Sequence, residues 1–558
     1  VSSAAFLGLL FLFDDLTGFP RSVLILDWGI AIVLLGGIRF AVRWAREGGF
    51  SSPWSQSGTR TLIIGAGSAG ANLLRHIRQD RGSKLHPVGL VDDDRGKRIL
   101  HIHGVEVLGT TEDLHELVEQ EKIELVVIAI PSATREQMQR ILDQCAGLSV
   151  EFKIVPSVRE LVDGKARISQ LRTVQIEDLL GRTPINLDLE LIDSDLADRT
   201  VLITGGAGSI GSELARQVAM FGPARLVLLE QAESPLYFMH MEIAKAHPEI
   251  EVVPVIADVT DAGRMQQVFA EHQPDVVFHA AAYKHVPMME ANISEAVRNN
   301  VLGTFRVAEA AVEHGARKFV LISTDKAVHP SSVMGATKRI AERVVLGWPI
   351  FRRSRTDFRA VRFGNVLGSD GSVVPLFKKQ IATGGPVTIT HPEVTRFFMT
   401  IPEAVQLVLQ AASLPEAAGR ISMLEMGEPM RIVELAENLI RLSGMEPYTE
   451  MPIVFTGLRP GEKLYEELMS DVETTIPTAI DKVRVVQTDE TDPFVIQQGF
   501  DRINTVLARG GGRKALMSVI CDLVPECVAP LRDHLQPAPF LESVPAFAGS
   551  GGSHLRAL

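Results

Sequence analysis

Residues Val201 to Gly211 read VLITGGAGSIG, and no other stretch limits the fold of this chain as strongly. Four β-favouring residues run directly into Gly205, Gly208 and Gly211, and a helical pattern, SELARQVAMFG, follows. A strand, a tight glycine turn and a helix N-terminus in that order form the context in which a glycine fingerprint predicts phosphate binding. Gly205 permits the sharp turn, Gly208 lets backbone amides approach a pyrophosphate, and Gly211 lets helix and strand pack closely. Ser209 and Ile210 open the helix beside the same turn.

The strands that follow extend the pattern. Ala224–Leu229 predicts a second strand with Glu230 at its end, where a carboxylate accepts the hydroxyls of an adenosine ribose and repels a 2′-phosphate. NAD is therefore expected over NADP. Val252–Ala257 predicts a third strand ending at Asp258 and Val259, with Asp258 in reach of an adenine amine. Val276–His279 predicts a fourth, and Ala280, Ala281 and Ala282 leave room for the cofactor backbone. Asn300 is read as the start of a helix, and Phe319–Ser323 as the fifth strand. Such βα repetition predicts a parallel sheet with ligands beyond its carboxyl edge.

A chain of 558 residues exceeds one ordinary core, so several domains are expected. The formal net charge of -12 argues against a nucleic-acid-binding body. Cys145, Cys521 and Cys527 lack metal-ligand spacing, so neither a metal site nor a disulfide framework is expected. Residues 1–47 are read as membrane-associated helices. Val23–Val42 is long enough to cross a bilayer, although Asp27 and Arg39 interrupt it, and Ala4–Phe13 reads as the end of another helix. Arg39, Arg43 and Arg46 then place the downstream part in the cytoplasm by the charge rule.

A second glycine motif, Gly65-x-Gly67-x-x-Gly70, follows a strand at Thr61–Ile64. Asp92 stands 22 residues beyond Gly70, where a ribose-binding carboxylate belongs. Residues 59–180 are read as a first Rossmann-like domain with either a nucleotide-binding or a regulatory role. Residues 182–535 form the catalytic domain, and 536–558 a disordered tail. Asp92, Asp93 and Asp94 are read as a solvated strand end, because successive side chains of an extended segment diverge.

The GxxGxxG spacing resembles the extended short-chain dehydrogenase/reductase superfamily. Three further motifs sharpen the likeness: ISTDKAVHPSSVMGATKRIAE from Ile322, KHVPMME from Lys284, and LRPGEKLYEEL from Leu458. Together they resemble the large membrane-associated nucleotide-sugar 4,6-dehydratases of bacterial polysaccharide synthesis. That resemblance implies further membrane helices ahead of Val1, an inner-membrane location, a homo-oligomer and a UDP-N-acetylhexosamine substrate such as UDP-N-acetylglucosamine. It implies that Thr324 bonds the C4 hydroxyl, Asp325 protonates the departing C6 hydroxyl and Lys326 takes the C5 proton. Each of the last two would need a pKa displaced toward neutrality.

Met334-x-x-x-Lys338 departs from the Tyr-x-x-x-Lys of the wider superfamily. Methionine has no proton to exchange, so the base for C4 oxidation stays open between Thr324 with a water and Asp325. Lys338 is expected to bind the nicotinamide ribose. Lys284, His285, Asn365, Lys378, Arg396, Arg459 and Glu462 are the substrate-binding candidates. A nucleotide-sugar 4-epimerase and a non-enzymatic nucleotide-sensing membrane protein are the competing readings. The pair Asp325 and Lys326 together with Met334 argues against the first, and the intact Asp325, Lys326 and Lys338 against the second.

Overall fold

The computed structural model describes residues 58–155, 171–174 and 187–527, apart from 81–82, 146–147, 149, 349–350, 352, 471–472 and 488–491. Ahead of residue 58 it describes only parts of 30–39. The chain divides into two compact units, Val1–Gly181 and Arg182–Leu558.

In the first unit Thr59–Ile64 is the central strand, paired in parallel with Leu85–Val91 and Leu125–Ile128. These strands are near-continuous apolar runs because both faces of the sheet are covered, and Leu62, Ile63, Ile64, Leu90 and Val126 have no exposed surface. The helix Ser68–Gln79 starts at the Gly67 turn and buries Leu73 and Leu74. Asp92 does not stand free at its strand end. Its Oδ2 accepts a hydrogen bond from the Ala66 amide at 2.8 Å and one from Lys97 Nζ at 2.9 Å, so it braces the glycine turn.

The second unit is built on nine strands: β1 (Thr200–Thr204), β2 (Arg225–Glu230), β3 (Glu251–Ile256), β4 (Val276–His279), β5 (Lys318–Ile322), β6 (Asp357–Arg362), β7 (Ile421–Leu424), β8 (Thr474–Pro477) and β9 (Val483–Gln487). Their spatial order is β3-β2-β1-β4-β5-β6-β7-β9-β8. The strands from β3 to β7 run parallel, and β9 and β8 close the edge antiparallel. Strand order reverses between β1 and β4, and such a switch point opens a crevice at the carboxyl edge. The chain leaves β1 at Gly205, β4 at Ala280 and β5 at Ser323, which brings the three signalled segments to one rim.

Asn300 does not start a helix. It lies within a π-helical turn, Arg298–Gly303, between Ile293–Val297 and Thr304–Glu313. The widened turn carries its side chain to Tyr283, whose amide donates to Asn300 Oδ1 at 2.8 Å. Nδ2 donates to the Tyr283 carbonyl at 3.0 Å and to Thr337 Oγ1 at 3.1 Å. One buried amide thereby ties the segment after β4 to the helix Val333–Gly347, where π-turns commonly serve functional sites.

The membrane expectation is corrected. Among the described residues no helix is long and apolar enough to cross a membrane. Of Val23–Val42 only residues 30, 32–34 and 36–39 are described, and these are helical. Ala4–Phe13 and the 536–558 tail lie outside the described residues. That finding runs against the expected membrane helices, membrane partner, inner-membrane location and membrane-associated form, whereas the two Rossmann-like units stand.

Candidate functional site

A cleft of about 2110 Å³ lies along the carboxyl edge of the second unit's sheet. A smaller cavity of about 140 Å³ shares its Gly205, Gly208, Ala280 and Ala282 walls. Gly205 has φ +67°, and a Cβ there would stand 2.8 Å from the Ala281 amide nitrogen. A Cβ on Gly211 would lie 1.9 Å from the Gly205 carbonyl oxygen, so helix and turn meet with no room for a side chain. Gly208, Ser209, Ile210 and Gly211 line the large cleft. Ser209 Oγ also accepts from the Asp370 amide at 3.1 Å, tying the 368–372 loop to the glycine turn.

Glu230, Val259 and Ala281 line the smaller cavity. Glu230 is half-buried, and its Oε1 is fixed by the Gln231 and Ala232 amides at 2.9 and 3.2 Å. Asp258 is exposed, accepts from the Thr260 amide at 2.8 Å and does not line that cavity. A glycine cradle at a helix N-terminus, small residues after β4 and a carboxylate after β2 fit NAD, the pyrophosphate by the turn and the adenosine ribose by Glu230.

At the end of β5, Thr324 Oγ1 donates to Asp325 Oδ1 at 2.8 Å. Lys326 Nζ donates to the same oxygen at 2.9 Å and to Asn365 Oδ1 at 2.9 Å. Asp325 is 1% exposed, and its Oδ2 is buried without a hydrogen-bond partner. The expected shift of Lys326 toward neutrality is corrected. Burial alone would lower its pKa, but the carboxylates of Asp325 and Glu466 outweigh that and hold it above the usual lysine value. Lys326 is therefore cationic in the ligand-free protein.

The helix Val333–Gly347 is capped by Ser332 Oγ, which accepts from the Gly335 amide, and sets Met334 and Lys338 one turn apart on the cleft wall. Lys338 Nζ donates to the Ile322 carbonyl at 2.6 Å, and burial pushes its ammonium down to about 8 against the pull of Glu342. Lys284 and His285 line the cleft, each with a pKa lowered first by burial. The His285 ring fills the space where a Gly371 Cβ would stand, its Cε1 2.6 Å from that position.

The remaining candidates divide. Arg396 is 7% exposed and already spends its guanidinium on the Thr395, Leu464 and Lys463 carbonyls. Its ion pairs are with Glu462 at 3.5 Å and Glu466 at 3.6 Å. Arg459 is half exposed and lies 3.4 Å from Glu462. Lys378 is exposed and does not line the cleft, whereas Lys379 does. Helical geometry separates adjacent residues by about 100°, so the sequence put the right segment but the neighbouring side chain at the wall. No group of His, Cys, Asp or Glu suited to a metal occurs among the described residues.

Three participants were missed. His279 is fully buried between Thr204 Oγ1 at 2.7 Å and Thr304 Oγ1 at 2.9 Å, and burial holds its pKa down near 3, so the ring is neutral. Glu342 accepts from Ser323 Oγ at 2.6 Å, directly behind the site. Glu466 lies within the LRPGEKLYEEL motif, but its approach to Lys326 at 3.8 Å depends on a contact 140 residues away in sequence.

Comparison with known proteins adds two family matches: residues 201–488 match a polysaccharide biosynthesis protein family, and residues 1–156 a CoA-binding domain family. The chain is 48% identical over 450 residues to the capsular polysaccharide biosynthesis protein CapD of Staphylococcus aureus, covering 80% of this chain and 74% of that one. It is 46% identical over 462 residues to the probable polysaccharide biosynthesis protein EpsC of Bacillus subtilis, covering 82% and 76%. A UDP-glucose 4-epimerase of Rickettsia rickettsii is 35% identical over 284 residues, covering 50% of this chain and 79% of that one.

Proposed function

Because this chain belongs to the polysaccharide biosynthesis protein family, we propose that it catalyses 4,6-dehydration of a UDP-N-acetylhexosamine, with UDP-N-acetylglucosamine the substrate of choice. In coarser terms it is an enzyme that modifies a nucleotide sugar with NAD. The observation that carries the finer reading is that Thr324, Lys326 and Met334 line the cleft while Asp325, buried just behind its wall, is joined to Lys326 by a 2.9 Å hydrogen bond, with Met334 standing where a tyrosine would.

Gly205, Gly208 and Glu230 would hold NAD, with Lys338 as the candidate partner of its nicotinamide ribose, and the bound nicotinamide would supply hydride-transfer chemistry at C4 and C6. The chain supplies the protons. In the resting pair the proton sits on Lys326 and Asp325 is ionised. Passing it across the hydrogen bond gives a neutral amine and a neutral carboxyl, the two forms an elimination needs. Lys326 then takes the C5 proton while Asp325 gives its own to the C6 hydroxyl, which departs as water. Lys326 later returns its proton to C5. The proton released from the C4 hydroxyl at the outset leaves through Thr324 and a water, because Asp325 is already protonated at that stage, and one proton returning from solvent restores the resting pair at the end. No proton is gained or lost by the protein over one turnover.

The test is incubation with UDP-N-acetylglucosamine, with NMR and mass analysis of the product. A 4-keto-6-deoxy sugar lighter by one water supports dehydration. A 4-epimer of unchanged mass supports the second reading, which the likeness to a UDP-glucose 4-epimerase favours. The cofactor choice has its own test. Like charges juxtaposed cost several kcal/mol, so protein denatured after purification should release NAD. Glu230→Ser should weaken the preference over NADP by about tenfold or more, read by competition between the two nucleotides.

A further inference from the structure

Lys326 is contacted from three directions. Asp325 Oδ1 and Asn365 Oδ1 each accept from its Nζ at 2.9 Å, and Glu466 Oε1 faces it at 3.8 Å. The same Glu466 oxygen lies 3.6 Å from Arg396 Nε, whose own charge opposes that of Lys326. The Glu466 side chain is 4% exposed and lines the cleft, yet its Oε2 is buried with no hydrogen-bond partner. A buried carboxylate oxygen without a donor is costly, and a donor arriving in the cleft would remove that cost.

We propose that Glu466 is a positioning residue that keeps the shared proton on Lys326 until a hydroxyl or amide donor of the sugar reaches its Oε2. The inference rests on the dehydratase reading, in which Lys326 must give up its proton before it can take one from C5. With two carboxylates facing it, Lys326 is held in the cationic form. A sugar donor on Oε2 draws the Glu466 charge away from Lys326, and the proton then crosses the 2.9 Å bond to Asp325. Sugar binding and creation of the base are thereby one event, and an empty site holds no free amine.

The experiment follows the reactivity of Lys326 across pH in the full, NAD-loaded chain. Competitive acetylation with acetic anhydride, read by mass spectrometry of the Lys326 peptide, requires no turnover. Glu466→Gln should raise the reactivity of Lys326 at neutral pH about tenfold, a shift of one pH unit in its midpoint. Glu466→Asp, which keeps the charge, should stay near wild type. UDP-xylose lacks C6 and cannot eliminate; on wild-type enzyme it should lower the same midpoint with no substitution at all. In the Gln variant the pH dependence of C5 proton exchange with UDP-N-acetylglucosamine should move to lower pH, a change that a merely structural role would not produce. An unchanged midpoint in Glu466→Gln overturns the hold on the proton, and an unchanged midpoint with UDP-xylose overturns its release by sugar. If the wild-type enzyme forms no 4-keto-6-deoxy product, the dehydratase reading fails, while the acetylation result still decides what Glu466 does to Lys326.

Discussion

Lys326→Ala should abolish formation of the 4-keto-6-deoxy product while leaving the bound NAD in place. The amine stands in the cleft with its nitrogen fixed by Asp325 and Asn365, and alanine leaves nothing there to take a proton from C5. Loss of one positioned acid or base costs roughly 10²–10⁴-fold. A larger loss is expected here because the same substitution strips Asp325 of the partner with which it shares a proton. Asp325→Asn should be comparably severe, since the amide keeps the shape but cannot carry the proton to the C6 hydroxyl. Gly205, Glu230 and Lys338 are untouched in both variants, so nucleotide released on denaturation should match wild type. Exchange of the C5 proton with deuterated solvent separates the two roles. Wild-type exchange in Lys326→Ala would remove Lys326 from the base role even if product formation were lost.

What the sequence disclosed about this site follows the reach of its interactions. The Gly205 turn is a local matter of φ and of strand-to-helix spacing, and it reads directly from eleven residues. The strand ends at Glu230, Ala280 and Ser323 were legible to within a residue or two, because apolar runs stop where the sheet's cover stops. Asn300 was read as a helix start and its π-turn was not legible, since a widened turn has no periodicity of its own. Glu466 and Glu342 were passed over for a different reason. Each matters through a carboxylate that faces residues on other segments, and hydrophobic patterning carries no record of such pairings. The apolar run at Val23–Val42 misled in the opposite direction, because apolar composition was read as a span despite Asp27 and Arg39.

Arg362→Met should be the most destabilising single change in the second unit, by about 3–5 kcal/mol, the usual consequence of removing one partner from a buried charge network. Arg362, at the end of β6, is 1% exposed and donates to Glu342 at 2.7 and 2.8 Å and to Glu473 at 3.0 Å twice. Glu342 has no exposed surface and Glu473 is 5% exposed, so both carboxylates would be left in a dry interior. Arg339 lies 3.1 Å from Glu342 and 3.5 Å from Glu473 and also pairs with Glu526, so without Arg362 this one cation would have to serve both buried carboxylates. The pH dependence has a defined sign. Burial would raise the Glu342 carboxyl, but Arg362 outweighs it and holds the group at about 2, below its usual 4.5. A carboxyl lowered on folding adds stability that is fully present above its unfolded value and disappears as pH falls through the folded one. The gap between wild type and Arg362→Met, measured by urea unfolding, should therefore be widest above pH 4.5 and narrow toward pH 2. Replacing Glu342 by Gln in the same chain should recover part of the loss, because the orphaned charge is then gone. A gap that stayed constant across that range would mean that the arginine acts there by packing alone. Because Glu342 also accepts from Ser323 Oγ, the same network holds the end of β5 from which Thr324, Asp325 and Lys326 project. Activity in Arg362→Met should fall before the fold is lost on warming.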